Sequence, residues 1–309
     1  MKKNKSFYIE KFKKKTFELL FFIIILIIVS LICNISSDKS NNSKYILNWQ
    51  VFYNESYRNP DINKELLNEI TKKSKDINVS TEEIMTLALI INKYSYENLA
   101  DILDKKIKNE EDYKSYYNSI LKSNINNKDF ETIYSTMISI SKAYINDFKY
   151  FPIALNKAGN RDIYSFSDSW QAKRTYKGER QHEGTDIMTK ENIRNYYPVV
   201  SVSDGKIENM GWLELGGYRI GIRTLNGLYI YYAHLSSYDD SISIGMEVKA
   251  GQIIGYAGDT GYSKVEGTTG NFKVHLHIGI YFNKDNEEIS VNPYNVLRLL
   301  EEKYKKADY

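Results

Sequence analysis

The stretch KVHLHIGIYF, residues 273–282, sets Val274, Leu276, Ile278 and Ile280 in alternation with Lys273, His275 and His277. A period of two is the pattern of a half-buried β-strand, and residues i and i+2 share a face. The two imidazoles therefore point the same way, with Cα atoms roughly 6.6 Å apart. At that spacing one could bind a metal ion while its neighbour meets whatever the metal holds, and the spacing does not say which. An isolated His-x-His on the polar face of a strand is more often merely solvated. The whole chain of 309 residues, however, contains only four histidines. The other two, His182 in QHEGTD and His234 in YYAHLSS, fall in the same C-terminal part.

Working outward, all 17 glycines lie at or beyond Gly159. Glycine serves turns and bulges, so its abrupt onset marks a change of architecture. Beyond it the chain reads as short strands with turns. PVVSVSDGKIENMGW suggests two strands about an Asp-Gly turn at 204–205, and YRIGIRTLNGLYIYYAHL two more about Asn226-Gly227. VKAGQIIGYAG adds another, and Asn292-Pro293 starts a terminal helix with Asn as N-cap. Successive antiparallel hairpins predict a β-sandwich or folded sheet.

Before Gly159 the chain reads as helical. STEE at 80–83 is a capping box, and Ile84, Leu87, Ala88 and Ile91 share one helical face. A second helix is predicted from about Asp129, with Phe130, Ile133, Tyr134, Met137 and Tyr144 as its stripe. LADILDKKI and YKSYYNSIL suggest shorter helices. The fold class expected is α+β: a helical module over 49–150, with no catalytic constellation, and an antiparallel β domain over 151–309. The helical module reads as a spacer or a surface for a protein partner.

The formal charge of +3 is unevenly placed. Residues 1–16 carry seven lysines against Glu10, so the remainder is slightly acidic. That body has no basic stripe for nucleic acid, which is excluded as a partner. The lysines precede FELLFFIIILIIVSLIC, residues 17–33, an apolar run at the short limit for a spanning helix. Basic residues on its N-terminal side predict a cytoplasmic tail (1–16), a single-pass transmembrane anchor (17–33), a polar tether (34–48) and an extracytoplasmic C-terminal part facing the cell wall. The rival is a cleaved signal peptide, but no small-residue cleavage pattern follows. Cys33 is the only cysteine, so no internal disulfide forms, and the large residues before it do not suit a lipid attachment site.

HEGTD places His182 and Asp186 about 13 Å apart in a straight strand, and Gly184 permits a bend that brings them together. A catalytic zinc takes three protein ligands and leaves a position for water. Four histidines plus Asp186 give two groups more than that, the surplus hydrolysis needs to move protons and stabilise an oxyanion.

The combination of HxxxD, a later His in an aromatic strand (YYAHL) and a terminal HLH, in that order, resembles the lysostaphin/LytM-type zinc endopeptidases of peptidoglycan, family M23. The resemblance covers about residues 165–295. It implies that His182, Asp186 and His277 bind Zn²⁺ and that His234 and His275 are the catalytic pair. It also implies peptidoglycan cross-links as substrate. The lead into HLH, GYSKVEGTTGNFKV, is longer than the family's usual one, and Ile278-Gly279 stand where Phe-Glu is usual, which leaves substrate preference open. The alternatives are a catalytically silent wall-binding scaffold and a peptidase acting on a protein.

Overall fold

The computed structural model describes residues 44–176 and 178–309. The expected tail, anchor and most of the tether, with Cys33, lie outside the described residues. Among the described residues, no helix is long and apolar enough to cross a membrane. Residues 47–117 and 128–309 form one compact unit, and a second takes in residues 44–46 and 118–127. In the second, the Asn124 side-chain amide donates to the Tyr45 and Ile120 carbonyls.

The N-terminal half is helical. A 3₁₀ turn, Trp49–Tyr53, is followed by α1 (Glu55–Arg58), α2 (Lys64–Ile77), α3 (Thr81–Ile91), α4 (Leu99–Lys106), α5 (Glu110–Ser123) and α6 (Phe130–Asn146). Ser80 caps α3, accepting from the Glu83 N–H while its hydroxyl donates to the Glu83 carboxylate at 3.0 Å. The expected stripe of α3 is too narrow. Every residue from Ile84 to Ile91 is buried, because α2, α4 and α6 pack around α3, and its Thr86 bonds Ser141 of α6 at 2.9 Å. Helix α2 was not foreseen, although Leu66, Ile70, Lys73 and Ile77 form its buried face at helical spacing.

Ten strands among the described residues make one sheet. They are β1 (Tyr164–Ser165), β2 (Thr185–Thr189), β3 (Pro198–Val200), β4 (Gly205–Leu213), β5 (Gly217–Thr224), β6 (Tyr229–Tyr238), β7 (Glu247–Val248), β8 (Ile253–Ala257), β9 (His275–Lys284) and β10 (Glu287–Val291). The main order is β7-β4-β5-β6-β9-β2-β1, with β8 joined to β3 and β6 and with β10 joined to β9. Strand β9 is the hub. One edge pairs with β6; the other pairs with β2 over its first half and with β10 over its second. Val274, Leu276, Ile278, Ile280 and Phe282 are buried, as the alternation requires.

Two local expectations are corrected. The strands flanking Asp204-Gly205 do not form a hairpin: β3 pairs with β8, and β4 with β5 and β7. Asp204 is taken instead by the Ala250 N–H and Lys149. The terminal helix, α7 (Tyr294–Leu300), has Pro293 at its cap, with the Asn292 side chain accepting from the Tyr294 N–H one position earlier than expected.

Helices and sheet share a core. Phe282, at the far end of β9 from the histidines, packs edge-on against Phe52 at 5.4 Å and Tyr57 at 6.1 Å. Arg58 donates from Nε to the Ser290 carbonyl at 2.7 Å, and its own carbonyl accepts from Asn292. Truncating such a buried aromatic leaves a cavity costing about 3–5 kcal/mol. Phe282→Ala is therefore expected to lower unfolding stability by about that much in a urea titration. A loss below about 1 kcal/mol would mean the helices and sheet do not share this core.

Candidate metal centre

The strand register assembles the site. In the antiparallel pairing of β9 with β2, His277 lies directly opposite Asp186, and across the other edge it faces Ala233 of β6. His182 lies just before β2, where its N–H donates to the Ala172 carbonyl and its carbonyl accepts from Gln171. Three atoms converge as a result. His182 Nε2 is 3.1 Å from Asp186 Oδ1 and 3.0 Å from His277 Nδ1, and that Nδ1 is 2.9 Å from the same carboxylate oxygen.

Bonding elsewhere fixes the role of the His182 ring. His182 Nδ1 lies 2.9 Å from the Ser169 carbonyl, which can only accept, so Nδ1 carries the proton and Nε2 presents a lone pair to the cluster. A carboxylate oxygen and two ring nitrogens thus face one point. The ligand atoms of a tetrahedral site with bonds near 2.0–2.1 Å would be roughly 3.3 Å apart, within a few tenths of what is seen. His182, Asp186 and His277 form a group able to hold a metal ion. The residues fit the zinc that the sequence suggested.

Burial and charge agree with that chemistry. Burial tends to raise the Asp186 carboxyl, but contact with His182 and His277 outweighs it and holds the group well below the usual carboxylate range. Arg174 also reaches Asp186, with Nη2 2.7 Å from Oδ2. Burial lowers the His277 imidazole, so it stays neutral as a ligand must.

His234 and His275 flank the trio. Their rings are 4.7 Å apart, and Phe272 packs on both. His275 Nδ1 is 2.7 Å from the Lys273 carbonyl and His234 Nδ1 is 2.8 Å from the Thr260 carbonyl. Each Nδ1 is therefore a donor, and each Nε2 keeps its lone pair. His275 Nε2 lies 3.9 Å from Asp186 Oδ1. Burial lowers both rings, and at His234 the neighbouring imidazoles add to the effect.

His234 reaches this place through a β-bulge. Strand β6 uses one more residue than β5 between the pairs Ile220–Tyr232 and Tyr218–Leu235. His234 itself takes φ +62°, a left-handed conformation uncommon outside glycine. Bulges of this kind re-aim a side chain. The five residues line a cleft of about 660 Å³ together with Arg174, Tyr231 and Tyr262.

Peptidase family M23 matches residues 180–293. A crystal structure of a Ruminococcus gnavus protein, named as a glycyl-glycine endopeptidase LytM, is 38% identical with TM-score 0.62; the match covers 83% of this chain and 94% of that one. The chain belongs to family M23. The overlap is more than the β region alone could supply, so it takes in helical residues too. An L-Ala–D-Glu endopeptidase of Bacillus subtilis is 42% identical over 141 residues, 46% of this chain and 42% of that protein. Lysostaphin of Staphylococcus simulans is 37% identical over 119 residues, 38% of this chain and 21% of that one. The chain thus spans under half the length of these curated relatives.

Two residues that line the cleft, Arg174 and Tyr262, gave no sequence signal. Arg174 belongs to a two-residue pairing of Lys173–Arg174 with Arg180–Gln181, too short for any periodicity to register. Tyr262 stacks on Tyr176 at 4.5 Å and sits edge-on to His234. Gly184 was expected to supply a bend. It does sit at a bend just before β2, and it has a steric requirement as well: a Cβ there would lie 2.5 Å from the Ile278 carbonyl and 2.6 Å from His277 Cε1. Gly184→Ala should displace the His277 ring and lower Zn²⁺ affinity by about 10- to 100-fold, read by competition with a chelating dye. Unchanged affinity would mean the ring is not held by this approach.

Proposed function

We propose that this chain is a zinc-dependent endopeptidase that hydrolyses peptide cross-links of bacterial peptidoglycan, held at the outer face of the cell membrane by residues 17–33. The convergence of His182 Nε2, Asp186 Oδ1 and His277 Nδ1, with two further imidazoles beside it, carries this reading. The trio would hold Zn²⁺, which supplies Lewis acidity to polarise a carbonyl and acidify water. His234 and His275 do the proton work. One Nε2 accepts the proton of the attacking water and, once protonated, donates it to the departing amine. The other steadies the developing oxyanion. Their buried, neutral state gives each a free lone pair at neutral pH. The relatives' names offer two bond types, L-Ala–D-Glu and glycyl-glycine.

Metal content and turnover separate the roles. Zinc-loaded full-length chain should carry about one Zn²⁺ per molecule. His277→Ala, His182→Ala and Asp186→Ala should each lose most of it. His234→Ala and His275→Ala should keep the metal while release of new amino groups from purified peptidoglycan falls about 10²- to 10⁴-fold. A zinc-replete, active His277→Ala would reverse the assignment, and a silent scaffold would release nothing even when zinc-loaded.

Topology is tested separately. A reporter fused after Tyr309 is expected outside the cytoplasm and in the membrane fraction. A soluble mature form beginning near residue 34 would replace the anchor with a cleaved signal.

A further inference from the structure

Beside the metal cleft a second hollow of about 250 Å³ opens, sharing Leu213, Tyr231 and Tyr281 with it. Arg219, Tyr229 and Glu288 also line it. The sheet explains why. On β5, Ile220 and Ile222 face the core, so Arg219 stands on the opposite face, which it shares with Tyr231 of β6 and with His277 of β9. Two strand spacings separate β5 from β9, placing the Arg219 and His277 backbones roughly 10 Å apart.

The floor is paved with tyrosine. Glycines leave room for rings to lie across the strands: a Cβ at Gly221 would meet the Tyr229 hydroxyl, one at Gly216 the Tyr231 hydroxyl, and one at Gly279 the Tyr281 ring. Among these rings sits the Arg219 guanidinium, with Nε and Nη1 buried and without a hydrogen-bond partner. Its positive charge acts on Tyr229, Tyr231 and Tyr238, opposing the rise that burial imposes on each. The nearby acid, Glu288, is already engaged by Arg223. A guanidinium removed from water with donors unmatched is costly, and the group that matches it best is a carboxylate, which it grips in a two-pronged fashion.

We propose that Arg219 is a specificity-determining residue that binds a free carboxylate of the peptide substrate close to the scissile bond. The proposal rests on the hydrolase reading and narrows its substrate class. Of the two bond types, it selects a peptide with an acidic residue, such as the L-Ala–D-Glu unit, over oligoglycine, which has no side-chain carboxylate. The tyrosine floor supports the peptide, and Arg219 reads its charge.

The test uses zinc-loaded full-length chain and two L-Ala–D-Glu peptides, identical except that the glutamate's free carboxylate is a carboxamide in the second. The pair differs in charge and hardly in size. Unaltered chain should favour the acid by about 10- to 100-fold in kcat/KM, the range of a charge-assisted hydrogen bond. Arg219→Gln should bring the ratio close to one, and Arg219→Lys, which keeps charge without the fork, should fall between. Equal handling of the two peptides by unaltered chain, or an undiminished ratio in Arg219→Gln, overturns the subsite. Equilibrium binding of the same peptides gives the ratio independently of turnover. An Arg219-dependent preference in binding with no cleavage of either peptide or of peptidoglycan would retain the subsite and overturn the hydrolase reading. Should Arg219→Gln not fold, Arg219→Lys supplies the comparison: an undiminished ratio in it, or no preference in unaltered chain, overturns the subsite.

Discussion

Three electron-pair donors held about 3 Å apart in a buried place repel one another unless something positive lies among them. His182 Nε2, Asp186 Oδ1 and His277 Nδ1 are in that position. A proton on His277 Nδ1, which a neutral ring can carry, would relieve part of the conflict, but it leaves the His182 Nε2 lone pair facing Asp186 Oδ1 at 3.1 Å. A divalent cation relieves all of it. The surrounding structure reads as the means of holding the three donors there despite the repulsion. The His277–Asp186 cross-strand pair fixes two of them, the Ser169 carbonyl orients the third, and Arg174 draws on the other carboxylate oxygen. Such outer partners set ligand orientation and basicity.

The same strand links the site to the rest of the molecule. Strand β9 carries His275 and His277 at one end and Phe282 at the other, where Phe52 and Tyr57 of the helical region pack on it. Its core face is continuous apolar side chain, and its opposite face forms part of the cleft floor. A one-residue slip would exchange the two faces. The pairing that buries Leu276 and Ile278 is therefore the pairing that sets His277 against Asp186.

Much of this was legible because it obeys short-range rules. Alternation in 273–282 gave β9 and the shared face of its histidines, and Asn226-Gly227 gave the β5–β6 hairpin, with Gly227 at φ +96°. The capping box gave the start of α3. What escaped depends on distant partners. Strand β3 looked like half of a hairpin, but β8, more than fifty residues later, offered its edge the better match. The left-handed turn at His234 was hidden because a bulge is a mismatch between two strands, and no single strand records it. Arg174 was hidden for a similar reason. Its meaning lies in Asp186, twelve residues on, and nothing in the intervening pattern joins them.

The central claim, that these donors form one zinc site, is tested most directly by X-ray absorption at the zinc edge of the loaded full-length chain. The account predicts a four-coordinate N/O shell with bonds near 2.0–2.1 Å and the outer-shell scattering of two imidazoles, collapsing to one in His277→Ala. A six-coordinate oxygen shell without imidazole scattering, or a spectrum unchanged by His277→Ala, would contradict it.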